Sequence, residues 1–169
     1  QGGSAEALGE DSRVRFGETA AALNEKIRAT GAEVALYMTP AHVAPDPRYA
    51  PGRTDTIASM YVSVGNELGA LVIPVGRAFE LAYERRPDIS LHKDFDGSHP
   101  SLLGTYLAAC VVYQSIYGRS TVGVDYDYFG AIAEDDALFL QNTKNFFAFS
   151  VPFSLLYFFA LNYVFHILF

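Results

Sequence analysis

Two short apolar runs decide the fold of this chain: Glu33-Val34-Ala35-Leu36-Tyr37-Met38, closed by Thr39-Pro40, and Ala70-Leu71-Val72-Ile73-Pro74-Val75. Both are continuous rather than alternating in hydrophobicity, the pattern of strands buried on two faces. Segments of helical period surround them. Upstream, Phe16, Ala20, Leu23 and Ile27 recur at helical spacing, and Gly31 falls where a helix would end. Between the runs, Thr54 is placed to cap a helix carrying Ile57, Tyr61, Val64 and Leu68, with Gly69 at its end. A shorter helix with Ala78, Phe79, Ala82 and Tyr83 follows the second run and stops at Pro87, and a long apolar one spans Leu102 to Tyr117. Such strands, separated by amphipathic helices, predict an α/β fold: a parallel sheet covered on both faces. In such sheets functional groups gather in loops at the carboxyl ends of strands. The proline-rich stretch Thr39–Gly52 and the stretch Asp96–His99 both hold that kind of position.

A chain of 169 residues, half of them hydrophobic, is long enough for one domain with a real core. Its 19 acidic and 12 basic residues give a net charge of −7. No stripe of Lys and Arg exists, which excludes nucleic acid as a partner. The single Cys110 rules out an internal disulfide and a cysteine-based metal cluster. At helical spacing among Tyr106, Leu107, Val111 and Tyr113, it reads as a small core hydrophobe, and the redox compartment stays undetermined.

Composition divides the chain into a domain over 1–142 and an apolar tail over 143–169. From Phe146 to Phe169 no charged residue occurs, and eight of these 24 residues are Phe. As a helix, that stretch would be about 36 Å long, enough to cross a hydrocarbon core of about 30 Å. Two readings stand open: a C-terminal apolar helix that contacts a membrane through 146–169, or translated out-of-frame sequence. At the other end the first residue is Gln and no signal peptide precedes it, so the expectation is a cut edge.

Chemistry concentrates in Asp96-Gly97-Ser98-His99-Pro100-Ser101. A carboxylate three residues before an imidazole, in one loop, can accept a hydrogen bond from one ring nitrogen and leave the other facing outward. Gly97 permits the tight turn, and Pro100 suits the first turn of the helix that follows. The bare D-x-x-H pattern equally fits a surface loop with a capping Asp. Its extension through Gly104-Thr105-Tyr106-Leu107-Ala108-Ala109 resembles the last motif block of the SGNH/GDSL hydrolase superfamily, a D-x-x-H loop continued as His-Pro and an apolar helix. Leu36–Pro40 and Gly69–Gly76 are similar to that family's later βα units, so the resemblance covers roughly Gln1 to Gly123.

This resemblance implies a partial three-layer α/β/α, flavodoxin-like domain and a serine esterase or acetylesterase that needs no cofactor and no metal. It implies Asp96 and His99 as the acid and base of a Ser-His-Asp triad acting on a small-molecule or carbohydrate ester. The chain departs from the family in lacking the G-D-S-type nucleophile block and the G-x-N-D block. Ser4, in Gln1-Gly2-Gly3-Ser4, is the glycine-preceded serine near the start. It reads as a nucleophile, as part of a loop after a central strand that supplies an oxyanion donor, or as a polar cut end. Gln1 offers a side-chain amide as such a donor. The expectation is a fragment whose nucleophile lies upstream, inactive by itself.

The remaining candidates are weaker. His42, on the proline-rich loop, reads either as lining a substrate cleft or as a solvated loop histidine. His92, Asp94 and His99 would be an irregular zinc set without visible supporting partners. His166 falls in the apolar tail. Asp125, Asp127, Glu134, Asp135 and Asp136 read as a solvated acidic face, and Arg85-Arg86 as cations at a helix C-terminus. Against the hydrolase stands a second class of function, a non-catalytic α/β binding module tethered to a membrane by the tail.

Overall fold

The computed structural model describes residues 3–143 and is a mixed α/β fold with five helices and a small parallel sheet. A 3-10 turn, Glu6–Leu8, leads into α1 (Glu10–Arg28), β1 (Ala35–Tyr37), α2 (Arg53–Leu68), β2 (Leu71–Ile73), α3 (Val75–Arg85), α4 (Leu102–Tyr117) and α5 (Glu134–Gln141). The strands pair in parallel with Ala35 opposite Leu71, Leu36 opposite Val72 and Tyr37 opposite Ile73.

Each paired segment is shorter than its apolar run, and the cause is local. Pro74 stands at the N-cap of α3, and the chain turns into that helix at Val75 before another ladder bond to β1 can form. Met38 still donates to Ile73 O at 3.0 Å, and its own carbonyl then accepts from Gly76 N at 3.0 Å, which joins the end of β1 to the start of α3.

Alternation along β2 sends neighbouring side chains to different cores. Val72 packs with Met38, Ile57, Ala58, Met60 and Tyr61 on the α2 side. Ile73 packs with Phe79, Leu91, Leu107 and Val111 on the α3 and α4 side. Contact on the α2 side is close: a Cβ on Gly65 would lie 2.4 Å from Val72 Cγ2. α1 lies against α2 on that side, with the Phe16 ring 5.0 Å from Tyr61 in an edge-on arrangement. Its apolar stripe is only half used, however, for no residue of α1 is buried and Leu23 is exposed.

Several expectations need correction. Thr54 does not cap α2. It lies inside the helix, buried, and Gly52 in the left-handed region (φ 74°) occupies the N-cap. Pro100 lies outside α4, whose cap is Ser101. The acidic run Glu134–Asp136 is the first turn of a helix, where carboxylates suit the dipole, and Asp136 pairs with Arg86 at 2.6 Å. Cys110 is buried in the α4 core as read from its spacing. The appended apolar helix, with His166 and the membrane contact assigned to 146–169, lies outside the described residues. Among those described, no helix is long and apolar enough to cross a membrane.

Candidate active site

The connection between α3 and α4 is built as a tied loop. Leu91 O accepts from Ser101 N at 2.9 Å and Lys93 N donates to His99 O at 2.8 Å, pairing His92 with Pro100 as an antiparallel bridge. Inside that clasp, the Asp96 and Gly97 amides both donate to Lys93 O, at 3.2 and 2.9 Å. Gly97 is left-handed (φ 63°), and a Cβ there would lie 2.1 Å from Val43 O. Only glycine fits that turn against that wall.

The turn aims Asp96 inward on its own loop. Its Oδ1 accepts from Ser98 N at 2.8 Å and His99 N at 2.9 Å, and its Oδ2 lies 2.7 Å from His99 Nδ1. The backbone amides of Ser98 and His99 hold the Asp96 carboxyl down to about 2, with the His99 ring adding to the effect. An ionised carboxylate can only accept, so the ring proton sits on Nδ1 and Nε2 carries the free lone pair. The His99 side chain is 73% exposed against 24% for Asp96, so that lone pair faces open space. A fixed carboxylate, an oriented imidazole and an outward basic nitrogen can take a proton from a neighbouring hydroxyl and stabilise the resulting charge.

The loop after β1 forms the adjoining wall. Val43 N donates to Gly97 O at 2.9 Å, which binds the two loops together. His42 is buried rather than solvated, and burial together with Arg48 lowers its pKa, with Asp46 opposing. Asp46 is gripped by Arg48 through Nε at 2.9 Å and Nη2 at 2.6 Å, a fork that holds its carboxyl well below the usual range.

Ser4 reaches the same end of the sheet. It is buried, its hydroxyl donates to Pro40 O and it lies 3.0 Å from Thr39 Oγ1. That hydroxyl is committed to the β1 loop through Pro40 and Thr39, not hydrogen-bonded to His99. Gln1 lies outside the described residues.

Sequence reasoning missed the part played by His92. It is buried, stacked on Tyr83 and edge-on to Phe79. Tyr83 OH accepts from Leu91 N at 3.2 Å, so its own proton goes to His92 Nδ1 at 2.8 Å. Nε2 then carries the ring hydrogen, buried without a partner, because the nearby Ala41 carbonyl lies outside hydrogen-bond geometry. Burial, reinforced by His42, pushes His92 down to about 4. Asp94 meanwhile accepts from Ser90 Oγ at 2.8 Å. His92, Asp94 and His99 therefore face separate partners, and among the described residues no three such side chains converge on a metal-sized site. No local signal marks His92, since its partners come from α3.

The described residues thus define a mixed α/β domain that presents a paired carboxylate and imidazole on a tied loop. No protein-family model and no curated protein matches the chain. Among solved structures it is similar to a DUF4886 family protein from Bacteroides uniformis, with a TM-score of 0.64 and 18% identity over 73% of this chain and 51% of that one. The chain spans about half the length of that protein, and at this identity the likeness is one of fold.

Proposed function

We propose that this chain supplies the acid–base half of a serine ester hydrolase of SGNH type, with a flavodoxin-like three-layer domain as its frame. Asp96 is the orienting carboxylate and His99 the general base. The nucleophilic serine comes from polypeptide outside these 169 residues. In this reading His99 Nε2 takes the serine proton as the hydroxyl attacks the ester carbonyl, and later returns it to the leaving alcohol. Water then repeats the cycle on the acyl-enzyme. The substrate is a small-molecule or carbohydrate ester, and His42 lies on the wall beside the site.

One observation carries the reading: the 2.7 Å contact from His99 Nδ1 to a carboxylate fixed by two backbone amides, with Nε2 left outward. A capping Asp in an ordinary surface loop would satisfy backbone donors without also orienting an exposed imidazole. The rival membrane-tethered module draws on residues outside those described, and no described feature favours it.

The test is hydrolysis of p-nitrophenyl acetate by this chain and by the same chain extended through the residues encoded before Gln1. The extended protein should turn over, and His99→Ala should abolish it. Turnover by the 169-residue chain that His99→Ala abolishes would overturn the external nucleophile. Turnover of the extended protein that ignores His99→Ala would overturn the hydrolase reading itself.

A further inference from the structure

α2 does not begin as α4 does. Ser101 caps α4 through its side chain, whereas Gly52 brings no side chain to α2. The first-turn amides of Arg53, Thr54 and Asp55 find no acceptor among the described residues. Bare N–H groups at a helix start favour an anion. Gly52 also leaves the approach clear, since a Cβ there would meet nothing within 4 Å.

An uncapped helix end is common and means little by itself. Here the side chains around it are unsatisfied as well. The Nε of Arg53 is buried without a partner, and its guanidinium pairs with no carboxylate among the described residues. The acidic groups nearby are already engaged. Asp46 is gripped by Arg48, Asp55 pairs with Arg77 at 2.6 Å, and Glu6 accepts from Gly3 N at 2.6 Å. Thr54 is 7% exposed and His42 9%, and neither side chain has a hydrogen bond among the described residues. Buried polar groups are normally hydrogen-bonded, so three such orphans in one place call for a ligand that accepts. His42 belongs with the other two, because burial and then the Arg48 and Arg53 charges lower its pKa, with Asp46 opposing. Its ring is neutral at pH 7 and has one N–H to donate. Two turns, Asp46 N to Val43 O and Tyr49 N to Asp46 O at 3.0 Å each, wind the stretch between His42 and α2.

We propose that the start of α2 is a binding site for an oxyanion, a carboxylate or phosphate group of a small molecule. The Arg53 guanidinium, the Thr54 hydroxyl, the His42 ring and the first-turn amides hold it. Arg53 supplies the charge and a planar fork matched to such groups. A chain of net charge −7 repels anions over its surface at large, so saturable uptake here needs a built site. His42 immediately precedes Val43, whose N–H holds Gly97 of the Asp96–His99 loop. The anion therefore lies on the wall beside His99, and the ester of the proposed reaction is one that carries an acidic group. That last step rests on the hydrolase reading, and the site itself does not.

Inorganic phosphate and acetate, each titrated into the 169-residue chain with sodium chloride holding the ionic strength constant, test the site without any hydrolysis. The amide shifts of Arg53 and Thr54 should saturate with at least one of them, and the tighter of the two names the group. The same anion should raise the melting temperature, because it binds the folded chain alone. Arg53→Gln should weaken binding about 10-fold or more, the scale of a lost bond to a charged group. Thr54→Val should weaken it several-fold, and keeps the test decisive should Arg53→Gln fail to fold. Arg15→Gln, which removes an exposed arginine on α1, should change nothing. Shifts that stay linear in both anions would overturn the proposal, as would saturation that survives Arg53→Gln and Thr54→Val unchanged. Saturable binding by a protein whose extended form hydrolyses no ester would leave the site standing and remove only the acidic-ester step.

Discussion

Asp96 meets three donors with two oxygens, and that geometry gives its carboxylate more to do than orient a ring. In Asp96→Asn, the amide oxygen can keep both backbone donors, which turns the NH2 group toward His99 Nδ1. That nitrogen must then accept, and the ring proton moves to Nε2, where a base needs its lone pair. Nitrogen-15 shifts of the 169-residue variant should report this tautomer change. In the extended protein kcat should fall by roughly 10⁴-fold, the scale of an Asp→Asn loss in another Ser-His-Asp triad. A ring that keeps its Nδ1 proton in the variant would mean that the carboxylate does not set the tautomer. Stability should fall with acid in two windows. His92 titrates near 6.5 when unfolded and about 4 when folded, so the unfolded chain binds the proton first and stability drops from pH 6.5 toward 4. Asp96 is depressed from 3.8 to about 2, so its contribution is complete above about pH 4 and is lost as pH falls toward 2. Urea midpoints against pH should lose part of their slope in the upper window for His92→Leu and in the lower one for Asp96→Asn, with the depressed His42 and Asp46 supplying the rest. An unchanged upper slope in His92→Leu would place that acid sensitivity elsewhere. The Asp96–His99 pair was legible in sequence because both partners sit three residues apart on one loop. The Tyr83–His92 contact was not, because nothing local ties α3 to residue 92.

Ser101 works on two elements at once. Its hydroxyl accepts from Gly104 N at 3.1 Å, capping α4, and donates to Ser90 O at 2.7 Å across the base of the loop. Ser101→Ala should cost about 1 kcal/mol, or roughly 2–4 °C in Tm for a protein of this size. Ser101→Asp restores the acceptor but not the donor, and should recover most of the loss. Equal melting temperatures for the two variants would make the Ser90 bond, not the cap, the important one. The span of α4 was readable from its apolar run, Leu102 to Tyr117, whereas its cap was not, because Pro100 drew the reading away from Ser101. Thr54 misled because Gly52, two residues earlier, turns the chain into α2 through a backbone conformation that needs no side-chain cap. Strand lengths misled because apolar character extends beyond the ladder, whereas pairing stops where the chain turns into α3 at Val75. α5 was hidden behind its own acidic first turn, which looks like a solvated face until Arg86 is brought to Asp136.

At the scale of the whole molecule, the sheet is a partition. Ile57 belongs to the core under α2, Ile89 to the core between α3 and α4, and β2 sends Val72 to the first and Ile73 to the second. The candidate site straddles this division. Leu91, at the root of the Asp96–His99 loop, is fixed in one core, while Met38 and Ala41, leading into the facing wall, pack with the other. The loops then meet through Val43 N and Gly97 O. If the cores are separate, small truncations on the two sides should not communicate. Ile57→Val and Ile89→Val should each cost about 0.5–1.5 kcal/mol, and the double variant should match their sum within about 0.5 kcal/mol. Urea unfolding of the three variants measures this directly. A larger departure from additivity would mean that strain passes through the three-residue strands, making the sheet a hinge rather than a wall. Additive costs would leave the loop-to-loop contact at Gly97 as the place where the two halves set the distance between His99 and the His42 wall. A second pair of truncations, at Leu91 and Met38, should then disturb the His99 ring environment jointly even where stability remains additive.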